Sequence, residues 1–252
     1  MRSPGAQAIR LQISDANLGR GILWIRRSAA DADPLGAYTG KGPFDDGIFW
    51  TVIVDSDAVT LEFEKDPAAS VDDTLPFRVS GISHIWASPT SSAQPEAVAH
   101  VLDAAASCNL DATCYSDWAT SENATPLIVF ELDDGTYSCS GVLMNSKDRL
   151  FTPYFLTANH CIGTDKAGRS VAAYWYYQTS TCNGPAPRLS NAQQLSGAQL
   201  LLTRDGGLGD FSLLKLSTIP DDAWFMGWTT EEPDIGNSIT GIHHPKRCDR
   251  DR

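Results

Sequence analysis

Two short words in this sequence carry chemistry. In Tyr154-Phe155-Leu156-Thr157-Ala158-Asn159-His160-Cys161 an imidazole follows an apolar run, and in Gly209-Asp210-Phe211-Ser212-Leu213-Leu214-Lys215-Leu216 a carboxylate precedes one. A general base must reach a reacting hydroxyl at a cleft, and the carboxylate behind it must be shielded enough to hold the imidazole in one tautomer. A histidine just past a buried strand and an aspartate just ahead of another meet those placements. Either residue alone would be weak evidence; the two together, about fifty residues apart, are the candidate site.

The elements that must position this pair read as strands. Up to Trp86, short apolar runs alternate with turn clusters: residues 9–13, 22–25, 48–54, 59–63 and 77–85. Val52, Val54, Val59, Leu61 and Phe63 stand at period two around Asp55-Ser56-Asp57, which predicts a hairpin. Asp33-Pro34-Leu35-Gly36 and Lys41-Gly42-Pro43 read as loops, and residues 1–88 as a small antiparallel β-sandwich. Residues 89–106, rich in Ser, Pro and Ala at their start, read as a linker with a short helix over Ala97–Ala106. Further strands are predicted at 127–132, 137–144, 153–157, 171–178, 198–203 and 211–216, a spacing that suits half of a β-barrel.

Composition narrows the function classes. The 252 residues carry a formal net charge of −12, which argues against a nucleic-acid partner because phosphate binding needs a concentrated basic face. The basic clusters at Arg26-Arg27 and in the tail Lys246, Arg247, Arg250 and Arg252 read as solvated charge. No run approaches the roughly 18 apolar residues of a membrane span. The start, Met1-Arg2-Ser3-Pro4-Gly5, has no signal-peptide core. The six cysteines, Cys108, Cys114, Cys139, Cys161, Cys182 and Cys248, contain no CxxC pair and no metal-site spacing. An even, well-separated set reads as a disulfide framework formed in an oxidising compartment, so a secreted protein is expected, its leader not present in this chain.

At these residues the sequence resembles the trypsin-like, chymotrypsin-fold serine peptidases, and within them the bacterial lysyl endopeptidase branch. The resemblance runs from Ser107 to Pro245 and rests on the order and spacing of Cys108-Asn109-Leu110-Asp111-Ala112-Thr113-Cys114, Cys139-Ser140-Gly141-Val142-Leu143-Met144-Asn145, Thr157-Ala158-Asn159-His160-Cys161, Tyr174 to Cys182, Asp210-Phe211-Ser212-Leu213-Leu214, Ala223 to Trp228 and Gly241-Ile242-His243-His244-Pro245. It implies an all-β fold with residues 107–252 carrying the first barrel of a double β-barrel; the N-terminal sandwich, outside the resemblance, reads as a pro-region or accessory domain rather than a sugar-binding one. By the same likeness His160 is the general base, Asp210 its orienting partner, and the disulfides join Cys139 to Cys161 and Cys114 to Cys182. Such bridges contribute about 3 to 4 kcal/mol each in a chain-entropy estimate. Cys108 would ordinarily bond far downstream, which leaves it free or paired with Cys248. No cofactor or metal is implied; the partner is a protein or peptide substrate, and the state a monomer.

The sequence departs from the family at the nucleophile, which there sits in a Gly-x-Ser-Gly word whose amides also build the oxyanion hole. No such word follows Asp210. The later serines are Ser212, Ser217 and Ser238, and none has that context. The expectation is a truncated peptidase, its second barrel largely missing, inactive and poorly soluble. The alternative is a non-catalytic secreted binding protein with a vestigial half-barrel. His243 and His244, adjacent and so on opposite strand faces, read as structural or cleft-lining rather than as a metal pair, and the tryptophans as core.

Overall fold

The computed structural model describes residues 1–27, 34–66, 74–86, 109–148, 150–185, 187, 189, 192–207 and 209–245. The expected linker, the helix over 97–106, Cys108, Cys248 and the basic tail lie outside the described residues. The chain divides into two compact units, one of residues 1–102 with Glu131–Thr136, the other of residues 103–130 with 137–252.

The first unit is built from β1 (Ala8–Ser14), β2 (Ile22–Arg27), β3 (Leu35–Tyr38), β4 (Phe49–Trp50), β5 (Val59–Glu64) and β6 (Arg78–Ile85). They form two three-stranded antiparallel sheets, ordered β4-β1-β6 and β3-β2-β5. Alternation sets which side chains turn inward: Leu23 and Ile25 of β2 are fully buried while Trp24 and Arg26 are not. Both sheets feed one core, with Ile9, Leu11 and Ile13 of β1 packed together with Leu23, Ile25 and Val59. Arg10 is buried among them, and its charge is compensated. Its Nε donates to the Thr51 carbonyl at 3.2 Å, its Nη1 lies 3.7 Å from a Glu131 carboxylate oxygen, and its guanidinium stands 5.2 Å over the Trp50 ring.

The predicted hairpin around Asp55-Ser56-Asp57 does not form. The arms separate into different sheets: β4 pairs with β1 and Val54 bridges Ile9, whereas β5 pairs with β2. Period-two alternation identifies a strand's buried face but not its partner, and the polar triplet serves here as a crossover between layers. The run read as a loop at Asp33–Gly36 also differs, since β3 starts at Leu35.

The second unit contains β7 (Leu127–Leu132) up to Phe130, β8 (Gly135–Ser140) from Tyr137, β9 (Val142–Met144), β10 (Tyr154–Thr157), β11 (Ala172–Trp175), β12 (Gln193–Ser196), β13 (Ala198–Arg204) and β14 (Phe211–Leu216), with two short helices, α1 (Ala119–Glu122) and α2 (Asp165–Arg169). The strands make two four-stranded sheets, ordered β13-β14-β10-β9 and β12-β11-β7-β8. Ile128, Phe130 and Trp175 from one sheet pack with Leu143, Phe155 and Leu214 from the other in a single core. Side chains of this size contribute about 1.5 to 3 kcal/mol each on full burial. The fold class is therefore all-β, as the sequence reading has it.

Gly141 explains why one predicted strand became two. The run 137–144 leaves one sheet as β8 and joins the other as β9, and a Cβ at Gly141 would fall 2.3 Å from the Phe155 ring. Only a residue without a side chain lets the chain pass this close. β11 stops at Trp175 because Tyr176 takes φ +58°, outside strand geometry. β12, with the sequence Gln-Gln-Leu-Ser, escaped the sequence reading because it lacks an apolar alternation. Of the tryptophans read as core, Trp175 is fully buried, while Trp86, Trp118, Trp224 and Trp228 are exposed.

Candidate active site

β10 runs between β9 and β14, so its register sets where the histidine turn begins. Phe155 is fully buried opposite Leu214, and Thr157 stands opposite Ser212. Past Thr157 the chain makes a tight turn in which Cys161 and Ile162 both donate backbone N–H groups to the Ala158 carbonyl, at 3.2 and 3.1 Å. Cys161 and Ile162 return to the core, and His160 is left outside, its side chain 71% exposed.

Asp210 comes from the neighbouring strand. It immediately precedes β14, and Gly209 before it adopts φ +152°, a conformation that L side chains rarely adopt. The carboxylate meets His160 twice: Oδ1 accepts the His160 backbone N–H at 2.9 Å and Oδ2 lies 2.6 Å from the ring Nδ1. The His160 ring bond, then its backbone N–H, hold the Asp210 carboxyl below its ordinary value, so the group is an ionised acceptor at neutral pH. An ionised carboxylate has no proton to give, hence the neutral tautomer this contact selects has its hydrogen on Nδ1 and Nε2 as the acceptor. That tautomer is the one a general base requires. The shielding expected for the carboxylate is absent among the described residues, where the Asp210 side chain is 53% exposed.

Two disulfides brace the surroundings. Cys139 is bonded to Cys161, across 22 residues, and Cys114 to Cys182, across 68. The first lies against the imidazole: the Cys139 and Cys161 sulfurs and a ring nitrogen of His160 lie within 4.8 Å of one another. Both sulfurs are committed to the disulfide, so they offer no thiolate ligand. At the second bridge the sequence reading missed Asp111, whose carboxylate accepts from Thr113 N at 3.1 Å, Thr179 Oγ1 at 2.9 Å and Asn183 N at 2.7 Å. The signal was present as an aspartate two residues ahead of a turn amide.

The three serines that follow Asp210 stand as follows. Ser212 is fully buried with its hydroxyl bonded to the Ile162 carbonyl, Ser217 lies exposed past β14, and Ser238 is exposed in the segment beyond it. The two adjacent histidines lie outside any strand and differ in burial. His243 is exposed, while His244 is partly buried, its backbone N–H donating to Ser140 Oγ at 2.7 Å and its Nε2 lying 3.0 Å from the Thr125 carbonyl. Trp228 anchors the same segment through Nε1, which donates to the Asn145 carbonyl at 3.0 Å.

Comparison with known proteins identifies a family. The family model for the lysyl endopeptidase C-terminal domain matches residues 102–250. The lysyl endopeptidase of Pseudomonas aeruginosa is 26% identical over 247 residues, which are 95% of this chain and 52% of that protein. The secreted RxLR effector protein 73 of Plasmopara viticola is 23% identical over 186 residues, 70% of this chain and 44% of that protein. The chain thus spans about half the length of the curated relatives it matches. With two antiparallel sheets around one core and a family match across most of the second unit, the chain belongs to the lysyl endopeptidase C-terminal-domain family of trypsin-like serine endopeptidases.

Proposed function

We propose that this chain supplies the base and its orienting carboxylate to a secreted serine endopeptidase, with His160 as general base and Asp210 as its partner. The observation that carries the reading is the two-point contact of Asp210 with His160, one carboxylate oxygen on the ring and the other on the backbone beneath it. In the reaction, Nε2 takes the proton of a serine hydroxyl as its oxygen attacks a peptide carbonyl. The imidazolium then protonates the leaving amine, and water hydrolyses the acyl-enzyme by the same route. Asp210 stabilises the imidazolium without itself taking the proton. A protein or peptide is the substrate.

The nucleophile and the oxyanion-hole amides come, on this reading, from residues other than these 252, and the same residues would cover the exposed Asp210. Residues 1–88 then form a pro-region or accessory domain, and residues 107–252 the part of the peptidase domain that holds the base. The disulfides suit an oxidising, extracellular compartment. Among the described residues no helix is long and apolar enough to cross a membrane.

The test is a fluorophosphonate probe, which labels only activated serines. Residues 1–252 alone are expected to take no label and to release no fragments from a protein digest. In the product of the whole locus, the probe is expected to label a serine outside residues 1–252, and His160→Ala is expected to slow that labelling by roughly a millionfold. Labelling that is indifferent to His160→Ala, or a labelled serine within residues 1–252, would overturn the proposal.

A further inference from the structure

The His160–Asp210 pair is exposed, and an exposed hydrogen bond competes with water, so it contributes little to its own geometry. Something beneath must hold the two groups in register. Ser212 is fully buried, and its Oγ donates to the Ile162 carbonyl at 2.5 Å. A hydroxyl has one proton, so toward Thr203 Oγ1, 2.6 Å away, Ser212 can only accept. The Thr203 proton is therefore spent on Ser212, and Thr203 Oγ1 accepts from Asn159 Nδ2 at 2.7 Å. Thr203 Oγ1 also lies 3.4 Å from the Phe211 carbonyl, a longer contact than the 2.6 Å to Ser212, so the hydroxyl protons run one way: the Asn159 amide to Thr203, Thr203 to Ser212, Ser212 to the Ile162 carbonyl.

Its ends bracket the base. Asn159 is the residue before His160, and Ile162 the second residue after it. Its middle lies in the sheet that positions the acid: Thr203 of β13 stands opposite Ser212 of β14, Ser212 stands opposite Thr157 of β10, and Asp210 is two residues ahead of Ser212. A shift of the turn against β14 would break a bond at both ends at once, and hydrogen bonds in series polarise one another.

We infer that Asn159, Thr203 and Ser212 are positioning residues, a one-way hydrogen-bond chain, part-buried at Asn159 and Thr203 and fully buried at Ser212, that locks the turn bearing His160 onto the strand just past Asp210. The inference rests on the proposed role of the pair.

The test is proton NMR of nitrogen-15-labelled residues 1–252, reading the imidazole Nδ1–H of His160. The wild-type chain is expected to show a strongly deshielded, slowly exchanging Nδ1–H, absent in Asp210→Asn. Thr203→Val keeps the shape and removes the hydroxyl. It is expected to speed that proton's exchange with water by roughly fivefold or more, the weight of one hydrogen bond, and Thr203→Ser to restore it. Ser217→Ala, at the exposed end of β14, is expected to change nothing. Amide spectra report the fold of each variant, and should Thr203→Val not fold, Asn159→Ala breaks the same chain at its partly exposed end with the same expected effect. Wild-type exchange in folded Thr203→Val or Asn159→Ala would overturn the inference while leaving the pair intact. A folded wild-type chain with no such resonance would overturn the base assignment itself, and this inference with it.

Discussion

Removal of the Cys139–Cys161 bridge separates what the staple does for stability from what it does for the site. Closing 22 residues lowers the entropy of the unfolded chain by an amount that corresponds to about 3.4 kcal/mol. Cys161 is also buried, and its lost sulfur contact adds roughly 0.8 kcal/mol, giving about 4 kcal/mol for Cys139→Ala with Cys161→Ala. The Cys114–Cys182 bridge closes 68 residues and corresponds to about 4.4 kcal/mol, with little packing lost because neither cysteine is buried. The two double variants should therefore be destabilised about equally. In urea, with a slope near 2 kcal/mol per molar, each midpoint should fall by roughly 2 M. Only the first should disturb the imidazole, since only its sulfurs adjoin His160. The assay is urea unfolding of both double variants alongside the His160 ring resonances. A change under 1 kcal/mol for either, or an unchanged His160 spectrum in folded Cys139→Ala/Cys161→Ala, would refute the reasoning.

Three further outcomes are expected. Gly141→Ala should destabilise by about 1 to 3 kcal/mol in chemical unfolding, because its Cβ would meet the Phe155 ring and the Leu156 carbonyl at 2.3 and 2.8 Å; pairing it with Phe155→Leu should recover part of that. Burial holds His244 below its ordinary 6.5, against the opposing bond to the Thr125 carbonyl. The unfolded chain then protonates first, so this contribution is full above 6.5 and is lost as pH falls through the folded-state value; His244→Gln, titrated by unfolding between about pH 7.5 and about pH 5, should flatten the dependence. Asp210 is depressed by its bonds from His160, so the pair should persist below the ordinary 3.8 and dissolve only as pH falls through the lower folded-state value, which carbon-13 carboxylate shifts read directly.

The sequence made the strands that carry the site legible because β10 and β14 are buried, apolar and bounded by polar residues, so pattern and burial coincide. His160 and Asp210 stood out for the same reason, each placed at a strand end where an apolar run meets solvent. Pairing partners were hidden. Alternation at residues 52–63 marked inward faces correctly and still gave the wrong neighbour, because a polar crossover and a hairpin turn share their composition. The switch of sheets at Gly141 depends on the approach of Phe155, fourteen residues on, which no local window contains. Thr203 was invisible as well, since nothing about a threonine near the end of an edge strand reports the hydroxyl it meets across the sheet.

The most direct test of the central claim is the nitrogen-15 shift of each ring nitrogen of His160 at a pH above neutrality. Nδ1 is expected to bear the proton and Nε2 to be bare, and Asp210→Asn to remove this preference. A proton found on Nε2, or divided between the two nitrogens as in free imidazole, would contradict it.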